Sequence, residues 1–190
     1  MDRYSLSADE RKGILLRHLE NNDRHHEMED PFVDDVVNDN KECFVGFPAL
    51  CYIFSEEKSL CPDRFTFFKN PRYTFSIFLR TFPDKNVYLT MVYALFQGGR
   101  IEKRHKNVEL IREIASIFRM PTFCSSAIDH VMSYMNKLYL NGHEEDSFYE
   151  FQHDFIAECV YISLDSEEID HLKAYSNRND ILDELIENYR

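Results

Sequence analysis

The stretch FYEFQHDFIAECV, residues 148 to 160, places a histidine beside a carboxylate where alternating aromatic residues give way to an apolar helical pattern. An imidazole N–H at such a switch can donate to a phosphate oxygen, and a charge-assisted bond of that kind is roughly twice as strong as a neutral one. The simpler alternative is that Asp154 caps the next helix and His153 merely precedes it. A second candidate is GFP at residues 46 to 48. Pro48 suits the first turn of a helix, and Gly46 before it permits a tight backbone approach.

Other chemistries lack their patterns. His25, His26, Glu27, Glu29 and Asp30 are metal-ligating types in one short stretch, but without HExxH spacing, and a charged connection between helices accounts for them. The five cysteines, Cys43, Cys51, Cys61, Cys124 and Cys159, form no CxxC pair. Surroundings such as ALCYIF suggest that most are buried free thiols, slow to react, in a reducing compartment. The sequence has no GxxxxGK[ST] run to cradle a nucleoside triphosphate, so no ATPase activity is expected of the isolated chain.

The elements that must position these residues are mostly helical. Ser7 and Glu10 spell a capping box, after which Ile14, Leu15, His18 and Leu19 share a face. Phe32, Val33, Val36 and Val37 suggest a short second helix, and Pro48 opens a third. Phe75, Phe78, Leu79 and Phe82 stand at helical spacing. Next come a helix over NVYLTMVYALFQ, ended by Gly98-Gly99, and another through Val108, Ile111, Ile114 and Phe118. A helix over 125–140 follows, with Ile128, Val131, Met132 and Met135 inward. Asn141-Gly142 marks a hairpin turn, and Tyr149 and Phe151 lie on the return strand. Phe155, Ile156, Cys159 and Val160 belong to a helix, and Ile181, Leu182, Leu185, Ile186 and Tyr189 form a closing apolar stripe.

Three helices, two short strands and a helix follow the order of a winged-helix unit. Its recognition helix would carry Lys137 as its one basic residue. DNA affinity rests on several phosphate-binding cations, and the net charge of -12 opposes both nucleic acid and anionic lipid. Neither DNA nor a membrane is therefore an expected partner. No apolar run is long enough to cross a bilayer, and the opening MDRYS leads into a polar helix, so a cytoplasmic location is expected.

The order of GFP in a helical module and QHD in a winged-helix module resembles the region after the core of STAND-class AAA-type NTPases. That family includes apoptosome and NOD-like immune receptors. SADERKGILLRHL, GFPALCYIF and YEFQHDFIAECV look particularly similar to the animal branch called novel STAND type 3. The resemblance covers most of residues 6–162. It implies a mainly α fold: a helical lid domain over 1–82 with the Gly-x-Pro motif, a winged-helix domain over 83–164 with a small β-hairpin and the His-Asp motif, and a helical extension over 165–190. It implies that Pro48 packs on adenine, that Gly46 permits the approach, and that His153 reaches the β-phosphate of ADP, with Asp154 supporting the turn or capping the helix. Gln152 replaces the family's methionine.

The function so implied is a nucleotide-state-sensing, autoinhibitory region of a signalling NTPase in innate immunity or cell death. Its partners would be a P-loop core in cis and other protomers on activation. Isolated, it would hold no cofactor; the parent would hold ADP or ATP with Mg. The alternative is a stand-alone protein-interaction adaptor that uses the winged helix without nucleotide.

Overall fold

The computed structural model describes residues 6–23, 31–39, 46–57, 64–136, 138–142, 147–176 and 180–189. The charged stretch from His25 to Asp30, together with Cys43, Cys61 and Lys137, lies outside the described residues. The chain is mainly helical with one small antiparallel sheet, and it divides into two compact units, Met1–Phe75 and Ser76–Arg190. The sequence places this division at 82/83; it falls within the helix Pro71–Arg80.

In the first unit, α1 (Ala8–Asn21) packs on α2 (Pro31–Asp39) and α3 (Phe47–Glu56), and α2 packs on α4 (Arg64–Lys69). The capping box forms as spelled: the Ser7 hydroxyl accepts from the Glu10 N–H, and the Glu10 carboxylate accepts from the Ser7 N–H at 2.8 Å. Leu15 and Leu19 are fully buried, as are Phe32, Phe54 and Phe67. Phe54 is the hub of the core, with ring centroids 5.1 Å from Phe68, 5.6 Å from Phe32 and 5.9 Å from Phe67. Such pairs add about 0.5–1.5 kcal/mol each beyond their buried area. Arg11 is buried too, donating from Nε to the Val37 carbonyl at 3.0 Å and from Nη1 to the Leu6 carbonyl at 2.7 Å. It thereby ties α1 to the last turn of α2, where a cation also opposes the helix dipole.

The helix α5 (Pro71–Arg80) crosses from the first unit into the second. The second unit then runs α6 (Lys85–Phe96), β1 (Arg100–Glu102), α7 (Val108–Ile117), α8 (Ser125–Met135), β2 (Leu140–Asn141), β3 (Phe148–Phe151), α9 (Asp154–Ser163), α10 (Ser166–Lys173) and α11 (Asp180–Tyr189). Helix α6 is its axle. Every residue from Val87 to Phe96 is buried, and α7, α8, α9, α11 and β1 all pack on it. A helix apolar on all sides must be surrounded in this way.

The sheet has strand order β1-β3-β2 with both pairings antiparallel. The hairpin expected near Asn141-Gly142 is thus two strands of three. Strand β1 escapes notice in the sequence because Arg100 and Glu102 are exposed and only Ile101 turns inward. Its place is set by pairing with residues nearly fifty positions away, Ile101 opposite Tyr149. The helix expected over 125–140 stops at Met135, since Tyr139 and Leu140 are drawn fully into the core and Leu140 pairs with Phe151. Val108 begins α7 and is 56% exposed, while Leu110, Ile111 and Ile114 face inward.

Residues 165–190 belong to the second unit, with α10 packed on α7 and α11 packed on α6 and α9. Among the described residues, no helix is long and apolar enough to cross a membrane.

Candidate functional site

Backbone bonds deliver the chain to the His153–Asp154 pair. After α6, Gly98 and Gly99 take φ of 76° and 77°, a left-handed turn that side chains disfavour. The Gly99 carbonyl then accepts from the Phe151 N–H at 3.1 Å, and the Tyr139 carbonyl accepts from the Gln152 N–H at 3.0 Å. His153 follows in extended conformation, φ -148° and ψ 141°, and its carbonyl accepts the first bond of α9 from the Ile156 N–H at 2.9 Å.

His153 is therefore the N-cap residue of α9, although its side chain makes no capping bond. Asp154 is the first helical residue and not the cap. From the first turn, its carboxylate interacts favourably with the positive end of the helix dipole. Both side chains are exposed, and neither has a hydrogen-bond partner among the described residues. A helix start without a side-chain cap leaves N–H groups pointing outward, the arrangement from which helices hold anions. The chemistry available here is donation to a negatively charged oxygen.

The far end of α9 is locked. The Ser163 Oγ donates to the Val160 carbonyl at 2.6 Å and lies 3.0 Å from the Tyr88 hydroxyl. Arg80 donates to the Ser163 carbonyl through Nη1 and to the Glu168 carboxylate through Nη2 at 3.0 Å. Between these anchors and its start, α9 buries Phe155, Ile156, Cys159 and Val160. Burial pushes the Tyr88 phenol up to about 12, against smaller opposing effects of Ser163 and Arg80.

The other sequence-derived pair sits in the first unit. Gly46 is the N-cap of α3 and Pro48 its second residue, both exposed, with the buried Phe47 between them. A Cβ on Gly46 would meet only the Pro48 ring, at 4.0 Å, and φ is -48°. The chain itself does not require glycine there. The structure thus keeps each pair together, Gly46 with Pro48 at the start of α3 and His153 with Asp154 at the start of α9.

The three described thiols differ in exposure. Cys51 and Cys159 are buried, but Cys124 is exposed at the N-cap of α8. Its Sγ lies 3.1 Å from the Ser126 hydroxyl, and that bond, with support from the Ala127 backbone, holds the thiol below its usual range. Sequence reading also missed the Arg80–Ser163–Tyr88 network. One signal was present, a single arginine ending the apolar run YTFSIFLR, although its partners lie about eighty residues on. Among the described residues, no group of three His, Cys, Asp or Glu is placed to hold a metal ion.

No family model, curated protein or solved structure matches the chain.

Proposed function

We propose that this chain is the nucleotide-state-sensing, autoinhibitory region of a STAND-type NTPase, with Met1–Phe75 as the helical lid and the α6–α9 segment as the winged helix. The observation that carries the reading is the state of His153. Its imidazole is exposed, unbonded among the described residues, and set at an uncapped helix start whose far end is clamped by Arg80 and Tyr88. Neither packing nor capping uses this side chain, whereas donation to a β-phosphate oxygen would. The order helix, strand, helix, helix, strand, strand, with β3 central, supports the winged-helix assignment. The exposed Pro48 ring supports an adenine contact outside its own unit.

On this reading, a P-loop core in cis supplies the nucleotide and its Mg, and the region itself performs no hydrolysis. His153 stabilises the ADP-bound closed state, and loss of that contact frees the protein to meet other protomers. The test is ADP retention by a P-loop-bearing parent in which His153 or Pro48 is replaced. Faster release supports the assignment, and retention equal to wild type in both variants removes its basis.

A further inference from the structure

Helix α7 and its connection to α8 border a groove of about 600 Å³, within the range of roughly 300–1,000 Å³ over which ligand clefts are usually found. Val108, Ala115 and Pro121 give it an apolar rim above the buried Ile111 and Phe123, and Arg112 and Arg119 also line it. Three features set it apart from ordinary surface. Val108 is 56% exposed although it is apolar and β-branched. The Arg112 and Arg119 side chains have no ion-pair or hydrogen-bond partner among the described residues, in a chain with 34 acidic side chains. Arg119 holds φ of 53° just past the end of α7, a left-handed position where glycine is the usual occupant.

We propose that this groove docks an acidic amphipathic helix of a protein partner. Its apolar face would cover Val108, Ala115 and Pro121, and its carboxylates would pair with Arg112 and Arg119. The choice of partner follows from charge and shape. Two uncommitted guanidiniums beside apolar walls match alternating apolar and carboxylate faces, and Arg binds carboxylates in bidentate fashion. The groove is lined by helix and connection residues and offers no open strand edge, so a partner strand has nothing to pair with and a helix in the groove is the fitting mode. Nucleic acid is disfavoured because Arg112 and Arg119 are the two cations in the lining, and phosphate-backbone binding rests on several. This surface does not depend on the nucleotide reading.

The test is fluorescence anisotropy on the full chain, with a fluorescein-labelled peptide carrying leucine on one helical face and glutamate on the other. A scrambled peptide of equal composition and a lysine-for-glutamate version are the controls. Saturable binding of the acidic helix is expected, weaker by about tenfold or more with the scrambled peptide, with Arg112→Glu and with Val108→Asp, and falling as salt rises. Arg119→Gly is expected to raise the melting temperature, by removing the left-handed strain, while weakening the peptide; an arginine of purely structural use would not weaken it. Absence of saturable binding at about 1 mM peptide, equal binding by Arg112→Glu, or preference for the lysine peptide overturns the proposal. Self-association in sedimentation that Arg112→Glu abolishes would assign the groove to a second copy instead, and would likewise overturn it.

Discussion

The Tyr88 hydroxyl and the Ser163 Oγ meet 3.0 Å apart across 75 positions of sequence, joining the central helix α6 to the last residue of α9. That pair, with Arg80 of α5 donating to the Ser163 carbonyl, fixes the C-terminal end of the helix that His153 begins.

Burial of Tyr88 makes this joint sensitive to alkaline pH. The folded phenol titrates at about 12 and an unfolded one at about 10, so its contribution is fully present below pH ~10 and is lost as pH rises toward ~12. The loss amounts to about 2–3 kcal/mol. Melting temperatures from pH 8 to 11.5 should fall more steeply for wild type than for Tyr88→Phe. At neutral pH that variant costs about 0.5–1.5 kcal/mol, since Ser163 keeps its bond to Val160. Parallel pH profiles contradict the assignment.

Gly142 stands against the Tyr149 ring, where an added Cβ would come within 2.3 Å of Cδ1. Gly142→Ala should cost about 1–3 kcal/mol in denaturant unfolding, because the ring must leave its place beside the strand. Gly46→Ala, which meets only Pro48 at 4.0 Å, should leave stability within about 0.5 kcal/mol. Equal effects of the two substitutions would refute the distinction.

Arg11 donates from a buried position to two backbone carbonyls, those of Val37 and Leu6. Arg11→Met keeps much of the volume but strands these acceptors, and should cost about 1–3 kcal/mol. Hydrogen exchange should show the loosening in α1 and α2, the helices the guanidinium joins. Unchanged protection there would show that the bonds contribute little.

Much of this architecture was legible because periodicity and caps are local. The Ser7–Glu10 box, the inward residues of α8 and the apolar face of α9 follow from spacing alone. What escaped depends on partners distant in sequence: β1 is specified by β3, the end of α8 by the burial of Tyr139, and the work of Arg80 by Ser163 and Glu168. The His153–Asp154 pair was visible, but the helix begins one residue earlier than an Asp154 cap implies. The histidine is the cap residue and the aspartate opens the helix. The reading of most cysteines as buried left Cys124 unassigned, because flanking composition does not reveal a helix N-terminus.

Cys124 should accordingly be alkylated much faster than Cys51 and Cys159 in peptide-mapped iodoacetamide labelling of the native chain. Ser126→Ala should slow it, since the Ser126 hydroxyl is the main group holding the thiol pKa down. A Cys124 rate no faster than those of the two buried cysteines would contradict the geometry.

The central claim is that His153 serves a phosphate outside this chain and not the fold around it. The decisive measurement is the ADP dissociation rate of a P-loop-bearing parent with His153→Ala, read beside the thermal melt of the 190-residue chain carrying the same change. An exposed side chain with no partner among the described residues should shift stability by less than about 0.5 kcal/mol. Loss of one charge-assisted contact of about 1.5–3 kcal/mol should speed ADP release by at least about tenfold. An unchanged dissociation rate would contradict the account, the more so if the isolated chain is markedly destabilised.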